Sequence, residues 1–205
     1  MESVCFVKKA KNGGLQFIEE KQTHWKHKWD KQTVTYALQK DTEDIEGRRI
    51  EERAVNLAFL TWNIEIPLKL KSVRGRKTPD IYINFVHAKN DAYLKNKKNV
   101  LAYAYFPKTS KQGKIVFNED YLWSINGRNN SYNMVHVLIH ELGHSLGLTH
   151  DVSDRNSVMW YQYNGRMNLT KYDINRICEK YGRRKFSGRI YSRIKQLIRR
   201  KKERL

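Results

Sequence analysis

His140-Glu141-Leu142-Gly143-His144-Ser145-Leu146-Gly147-Leu148-Thr149-His150 decides how this chain is read, because its spacing H-E-x-x-H-x-x-G-x-x-H supplies three imidazoles and one carboxylate. On a helix His140 and His144 project from one face a turn apart, the separation needed for two ligands of one ion. Gly147 can take a backbone conformation closed to other residues, so the helix can stop there and the chain can swing His150 round as a third ligand. Three neutral imidazoles leave Zn2+ an open position for water, which separates catalytic zinc sites from closed structural ones. Bound zinc lowers the pKa of such a water towards about 7, and Glu141 stands beside the ligands as the general base. The expected chemistry is metal-assisted amide hydrolysis. An ordinary amphipathic helix accounts for Val135, Leu138, Ile139, Leu142 and Leu146 but not for the histidines, and the two readings are compatible.

Around that string the hydrophobic pattern implies a mixed α/β domain with one core. Ile50, Ala54, Leu57 and Ala58 recur at helical spacing from about residue 46 to Trp62. Val34 to Leu38, Leu68 to Val73, Ile81 to Val86, Leu101 to Phe106 and Lys114 to Phe117 read as strands. The alternation in Ile81-Tyr82-Ile83-Asn84-Phe85 suits a sheet covered by helices on one side. Residues 132–147 form the helix of the zinc string.

Nine residues beyond His150, Ser157-Val158-Met159-Trp160 follows a polar turn from Asp151 to Asn156 and resembles the Met-turn of the metzincins. That resemblance implies that Met159 packs beneath the metal. Further segments narrow it to the matrixins, the catalytic domains of matrix metalloproteinases. Lys28 to Tyr36 resembles the family's first strand. Arg49 to Trp62 and Pro67-Leu68-Lys69-Leu70 are similar to its first helix and second strand, and Asp80 to Phe85 to its third strand. Val100-Leu101-Ala102-Tyr103-Ala104-Tyr105-Phe106-Pro107 resembles the edge strand that binds substrate, and Leu169 to Gly182 the closing helix. The resemblance therefore implies a metzincin-like twisted five-stranded mixed sheet with a long helix, an active-site helix and a third helix at the C-terminal end. It also implies a zinc endopeptidase whose extended substrate lies antiparallel along Tyr103 to Phe106, with Tyr103, Ala104 and Tyr105 as binding residues, its specificity pocket walled by Trp160 to Asn164, Trp160 and Tyr161 foremost, and by the zinc helix. A proline usually follows the Met-turn in this family, and Trp160-Tyr161 stands there instead.

Matrixins usually carry a second, structural zinc and several calcium ions. Tyr103 and Val116 stand where the family has histidines, so no structural zinc is expected. Asn118, Glu119 and Asp120 could hold Ca2+ by their oxygens, although such triplets are commonly turn residues. His136, one turn before His140, is not expected to be a ligand, since a fourth donor would close the water position. His24 and His27 lie in a basic stretch flanked by tryptophans, where surface packing is the expectation.

The 205 residues, 40% of them hydrophobic, suit one domain with extensions: 1–24, a catalytic domain at 25–182, and a tail at 183–205. Cys5 and Cys178 are too few for a disulfide framework. The neighbours of Cys5, Ser3-Val4-Cys5-Phe6, do not match the family's cysteine-switch motif. Lys8, Lys9 and Lys11 interrupt the N-terminal stretch where a secretory signal would be apolar, and no run is long enough to span a bilayer. Neither a signal peptide nor a membrane span is therefore expected, and an extracellular location follows from the resemblance alone. A monomer acting on polypeptide is expected.

The tail carries eleven Lys and Arg against the single acid Glu203, a net +10 of the chain's +19. Phe186, Ile190, Ile194, Leu197 and Ile198 fall at helical spacing, so it can form a basic amphipathic helix. Such a helix can bind a polyanion or an anionic membrane surface, and no nucleic-acid recognition motif accompanies the charge. The rival to the peptidase is thus a polyanion-binding protein that keeps the zinc fold without turnover. A solvated helix docked on the domain is the plain alternative for the tail itself.

Overall fold

The computed structural model describes residues 3–7, 26–74 and 78–204. His24 and most of the 1–24 extension lie outside the described residues. The elements, in chain order, are β1 (Ser3–Val7), β2 (Thr33–Lys40), α1 (Arg48–Asn63), β3 (Lys69–Ser72), β4 (Ile81–Val86), β5 (Val100–Tyr105), β6 (Lys114–Asn118), β7 (Trp123–Ser124), β8 (Tyr132–Asn133), α2 (Met134–Ser145), α3 (Lys171–Tyr181) and α4 (Gly188–Glu203).

All five expected strands are present in one mixed sheet, and β1 joins them as a sixth, in the order β1-β5-β6-β4-β2-β3. The β2–β3, β2–β4 and β4–β6 pairs are parallel, whereas β5 runs antiparallel to both β6 and β1. Parallel neighbours need a long crossover, and α1 supplies the one between β2 and β3. The alternation in β4 places Ile81, Ile83 and Phe85 fully inside, with Tyr82, Asn84 and Val86 half-buried. One difference from expectation concerns β5: the strand read as the sheet's edge is covered by β1.

The core is built to hold α2. Every residue from Met134 to Ser145 is buried, as a helix apolar on nearly all sides requires. Helix α1 turns Ala54, Ala58, Phe59 and Trp62 towards the core, and Trp62 Nε1 donates to the carbonyl of Ile139 at 2.9 Å. Trp29 Nε1 donates to Ser145 O at 2.8 Å and the Tyr181 hydroxyl to Leu146 O at 3.1 Å, so two carbonyls at the end of α2 are satisfied by side chains from two separate segments. At its start the side chain of Asn133 caps the helix, accepting from His136 N at 3.0 Å. Expected to begin at residue 132, the helix begins two residues later because Tyr132 and Asn133 pair with β7.

The basic tail folds as the expected helix, α4, and docks on α1. Tyr191, Ile194 and Ile198 pack against Leu57, Leu60 and Ile64. The Tyr191 hydroxyl donates to both carboxylate oxygens of Glu65, at 3.0 and 2.8 Å, and Lys195 Nζ lies 3.2 Å from the same acid. Lys202, 7% exposed, donates its ammonium to the carbonyl of Met167.

Past the end of α2, Gly147 has φ +92, and a Cβ there would lie 1.8 Å from the carbonyl oxygen of His27. Both backbone conformation and space demand glycine. Replacing Gly147 by alanine is expected to cost at least about 2 kcal/mol, read as a lowered urea midpoint at unchanged slope.

Candidate metal centre

His140 and His144 project from α2 as their spacing dictates, and the turn at Gly147 brings His150 to them. One nitrogen of each ring lies within 4.8 Å of the others. His140 Nδ1 donates to Val158 O at 2.7 Å, and His144 Nδ1 donates to Leu148 O at 2.6 Å. A ring that donates from Nδ1 while neutral has a bare lone pair at Nε2. The two Nε2 atoms stand 2.9 Å apart. Two lone pairs at that separation repel, and a cation between them removes the repulsion. Burial, followed by the neighbouring imidazoles, holds His140 well below the usual histidine range, and burial and His150 do the same for His144. Neutral rings are the ligating form.

Glu141 is fully buried beside them, and neither carboxylate oxygen has a hydrogen-bond partner among the described residues. Burial pushes its pKa well above the usual carboxylate range. Such an orphaned acid, next to three converging neutral nitrogens, fits a zinc ion with an open position.

Met159 is fully buried, and a Cβ built on Gly143 would meet its Sδ at 2.2 Å. The thioether therefore lies against α2 on the turn between His140 and His144. Tyr161 stands edge-on to His150 at 6.5 Å between ring centroids, and Trp160 packs on Tyr161 at 4.7 Å. His136 does not join the three. Its Nδ1 donates to the carbonyl of Arg166, its ring meets Tyr163 edge-on at 4.8 Å, and burial lowers its pKa to about 4.

The main chain of the candidate residues on β5 lies between β1 and β6 in the sheet. Tyr103 turns its side chain away, into a cluster with Leu94, Val100, Tyr105 and Val116, and its hydroxyl donates to Asp91 at 2.8 Å. Val116, the other position where matrixins have a histidine, lies in the same cluster. The backbone of Tyr103, Ala104 and Tyr105 pairs with β1 in the register Ser3↔Tyr105, Val4↔Ala104 and Cys5↔Tyr103. Of the calcium triplet, Asn118 Nδ2 donates to Val100 O and its Oδ1 accepts from Asp120 N, Glu119 accepts from Thr42 and Glu43, and Asp120 pairs with His87.

Two further residues stand near the site. Phe106, directly after β5, meets His144 edge-on at 5.9 Å. Buried Asp173 accepts from the Ser157 hydroxyl at 2.5 Å and from Val158 N at 3.2 Å, and so anchors the residue whose carbonyl holds His140. Its visible signature is Thr170-Lys171-Tyr172-Asp173, a capping box that starts α3 with Thr170 and Asp173 bonded to each other's backbone. Asp173→Asn is expected to weaken zinc affinity by about 10- to 100-fold, measured by competition with a chelator, because the carbonyl that orients His140 loosens.

Comparison with known proteins agrees with this geometry. The family model described as "Matrixin" matches residues 28–182. Human matrilysin is 37% identical over 163 residues, covering 77% of this chain and 60% of that protein. Cat matrilysin is 39% identical, over 77% of this chain and 61% of its own length. Pig interstitial collagenase is 33% identical over 88% of this chain and 38% of its own. The chain thus spans about three fifths of the length of the matrilysins that it matches. With its matched segment running from before β2 to the end of α3, and the histidine string at the centre of its core, the chain belongs to the matrixin family.

Proposed function

We propose that the chain is a zinc-dependent metalloendopeptidase that hydrolyses peptide bonds of extended polypeptides, with Glu141 as general base. The observation that carries this reading is Glu141 itself: a fully buried carboxylate whose oxygens have no hydrogen-bond partner among the described residues, next in the chain to His140, one of three imidazoles that converge. His140, His144 and His150 hold the metal, the first two oriented by the Val158 and Leu148 carbonyls. When bound, zinc polarises the scissile carbonyl and acidifies the attacking water. Glu141 takes the water's proton on a carboxylate oxygen and delivers it to the leaving amine nitrogen. A binding protein without turnover leaves such a costly buried acid without a purpose.

Substrate lies antiparallel on β5, held by the main chain at Tyr103, Ala104 and Tyr105, with Trp160 and Tyr161 at the specificity pocket beside His150. The pairing of β1 supports this mode, because an extended segment already binds β5 in that direction and also contacts α2. Residues 183–205 serve attachment to an anionic partner, and the family resemblance favours extracellular action by a monomer.

Glu141→Gln keeps the size and burial of the side chain but cannot take a proton. The zinc-loaded variant is expected to lose about 10²- to 10⁴-fold in kcat on a quenched peptide while retaining its metal, and unchanged turnover would sink the reading. A chain lacking residues 1–24 should show higher kcat/KM than the full chain, because an intramolecular strand competes for β5 at roughly millimolar effective concentration. Equal values would mean that β1 and substrate do not share the strand.

A further inference from the structure

Helix α4 is amphipathic twice over. At 3.6 residues per turn, Tyr191, Ile198 and Lys202 share the face that docks on α1 and the loop at Met167. The opposite face carries Arg189, Arg193 and Arg200, all exposed. Beside that row stand Ile190 and Leu197, seven residues and therefore two turns apart, 51% and 56% exposed. Lys201 and Arg204 flank them, also exposed. Phe186, 37% exposed, lies just before the helix. Of the seven large hydrophobic residues exposed among the described residues, three therefore fall within this one segment, which lies beyond the part matched to the matrixins.

We infer that the outward face of α4 is a docking surface for an anionic lipid bilayer. Charge selects an anionic partner, and the apolar pair selects a bilayer over a soluble polyanion. A sulfated chain or a nucleic acid offers negative charge but no hydrocarbon, so it gives Ile190 and Leu197 nothing to enter. A bilayer interface takes the aliphatic side chains into the boundary below the headgroups, while the arginines stay level with the phosphates. The docked face stays on α1 throughout, so binding needs no unfolding of the tail. No helix among the described residues is long and apolar enough to cross a membrane, and the attachment inferred is peripheral. The inference stands apart from the proposed hydrolysis, since neither side chain of the pair takes part in it.

The test is sedimentation of the full chain with vesicles of phosphatidylcholine alone, or with about one third phosphatidylserine, at about 0.1 M salt. Binding is expected to the serine-containing vesicles only. Exchanging Arg189, Arg193 and Arg200 together for Gln should weaken it on the order of a hundredfold, at about fivefold per charge near the surface. The double variant I190S/L197S keeps every charge and should weaken it at least about tenfold, with binding to immobilised heparin unchanged. Far-ultraviolet dichroism equal to the parent's verifies that α4 is intact in both variants, whose altered side chains all face solvent. Absence of binding to the serine-containing vesicles overturns the inference. So does vesicle binding that I190S/L197S leaves untouched, which would mark the face as a general polyanion site.

Discussion

Imidazoles can face one another inside a protein only while they stay uncharged and are held from behind, and the rest of this structure follows from that constraint. The carbonyl that holds His140 comes from Val158 and the one that holds His144 from Leu148, so two different loops must be fixed for the rings to converge. Leu148 is placed by the turn at Gly147, which also seats against the His27 carbonyl. Val158 is placed by Asp173, whose carboxylate simultaneously begins α3. The tryptophans at 29 and 62 then brace α2 from two directions. A single buried helix thereby recruits most of the surrounding core.

What could be read from the sequence was what is local. The histidine string spans eleven residues and its meaning rests on helical spacing alone, while the strands show as alternation within five or six residues. The role of Asp173 rests on a contact made sixteen residues back in the chain, which no spacing rule reaches. The pairing of Ser3–Val7 with β5 joins segments nearly a hundred residues apart, and a five-residue apolar run does not announce its partner. Tyr103 was placed correctly on its strand, yet its side chain belongs to a cluster with Asp91 and Val116 behind the sheet rather than to the cleft. In the tail, one apolar stripe from Phe186 to Ile198 proved to be two, with Ile194 and Ile198 facing α1 and Ile190 and Leu197 facing solvent.

The sheet and the centre meet at β5. Its far end leads into Phe106, which contacts His144, and its outer edge is taken by β1 in the antiparallel sense. Main-chain pairing is indifferent to side chains, so the same edge suits any extended segment. In the binding mode proposed above, selection falls to the residues near His150, where Tyr161 stands edge-on to the ring and Trp160 packs on Tyr161.

The contact between Lys202 and the Met167 carbonyl gives the tail a mechanical character. Met167 lies in the same loop as Arg166, whose carbonyl accepts from His136 in the first turn of α2, so α4, the loop and the histidine helix form one braced unit. A tail joined by a flexible linker acts as a leash, letting an enzyme sweep out a volume around its anchor. This tail is instead packed rigidly on α1. If α4 docks on a bilayer as inferred, that contact fixes the height and tilt of the proposed active site, so the peptide bonds within reach form a thin layer above the membrane.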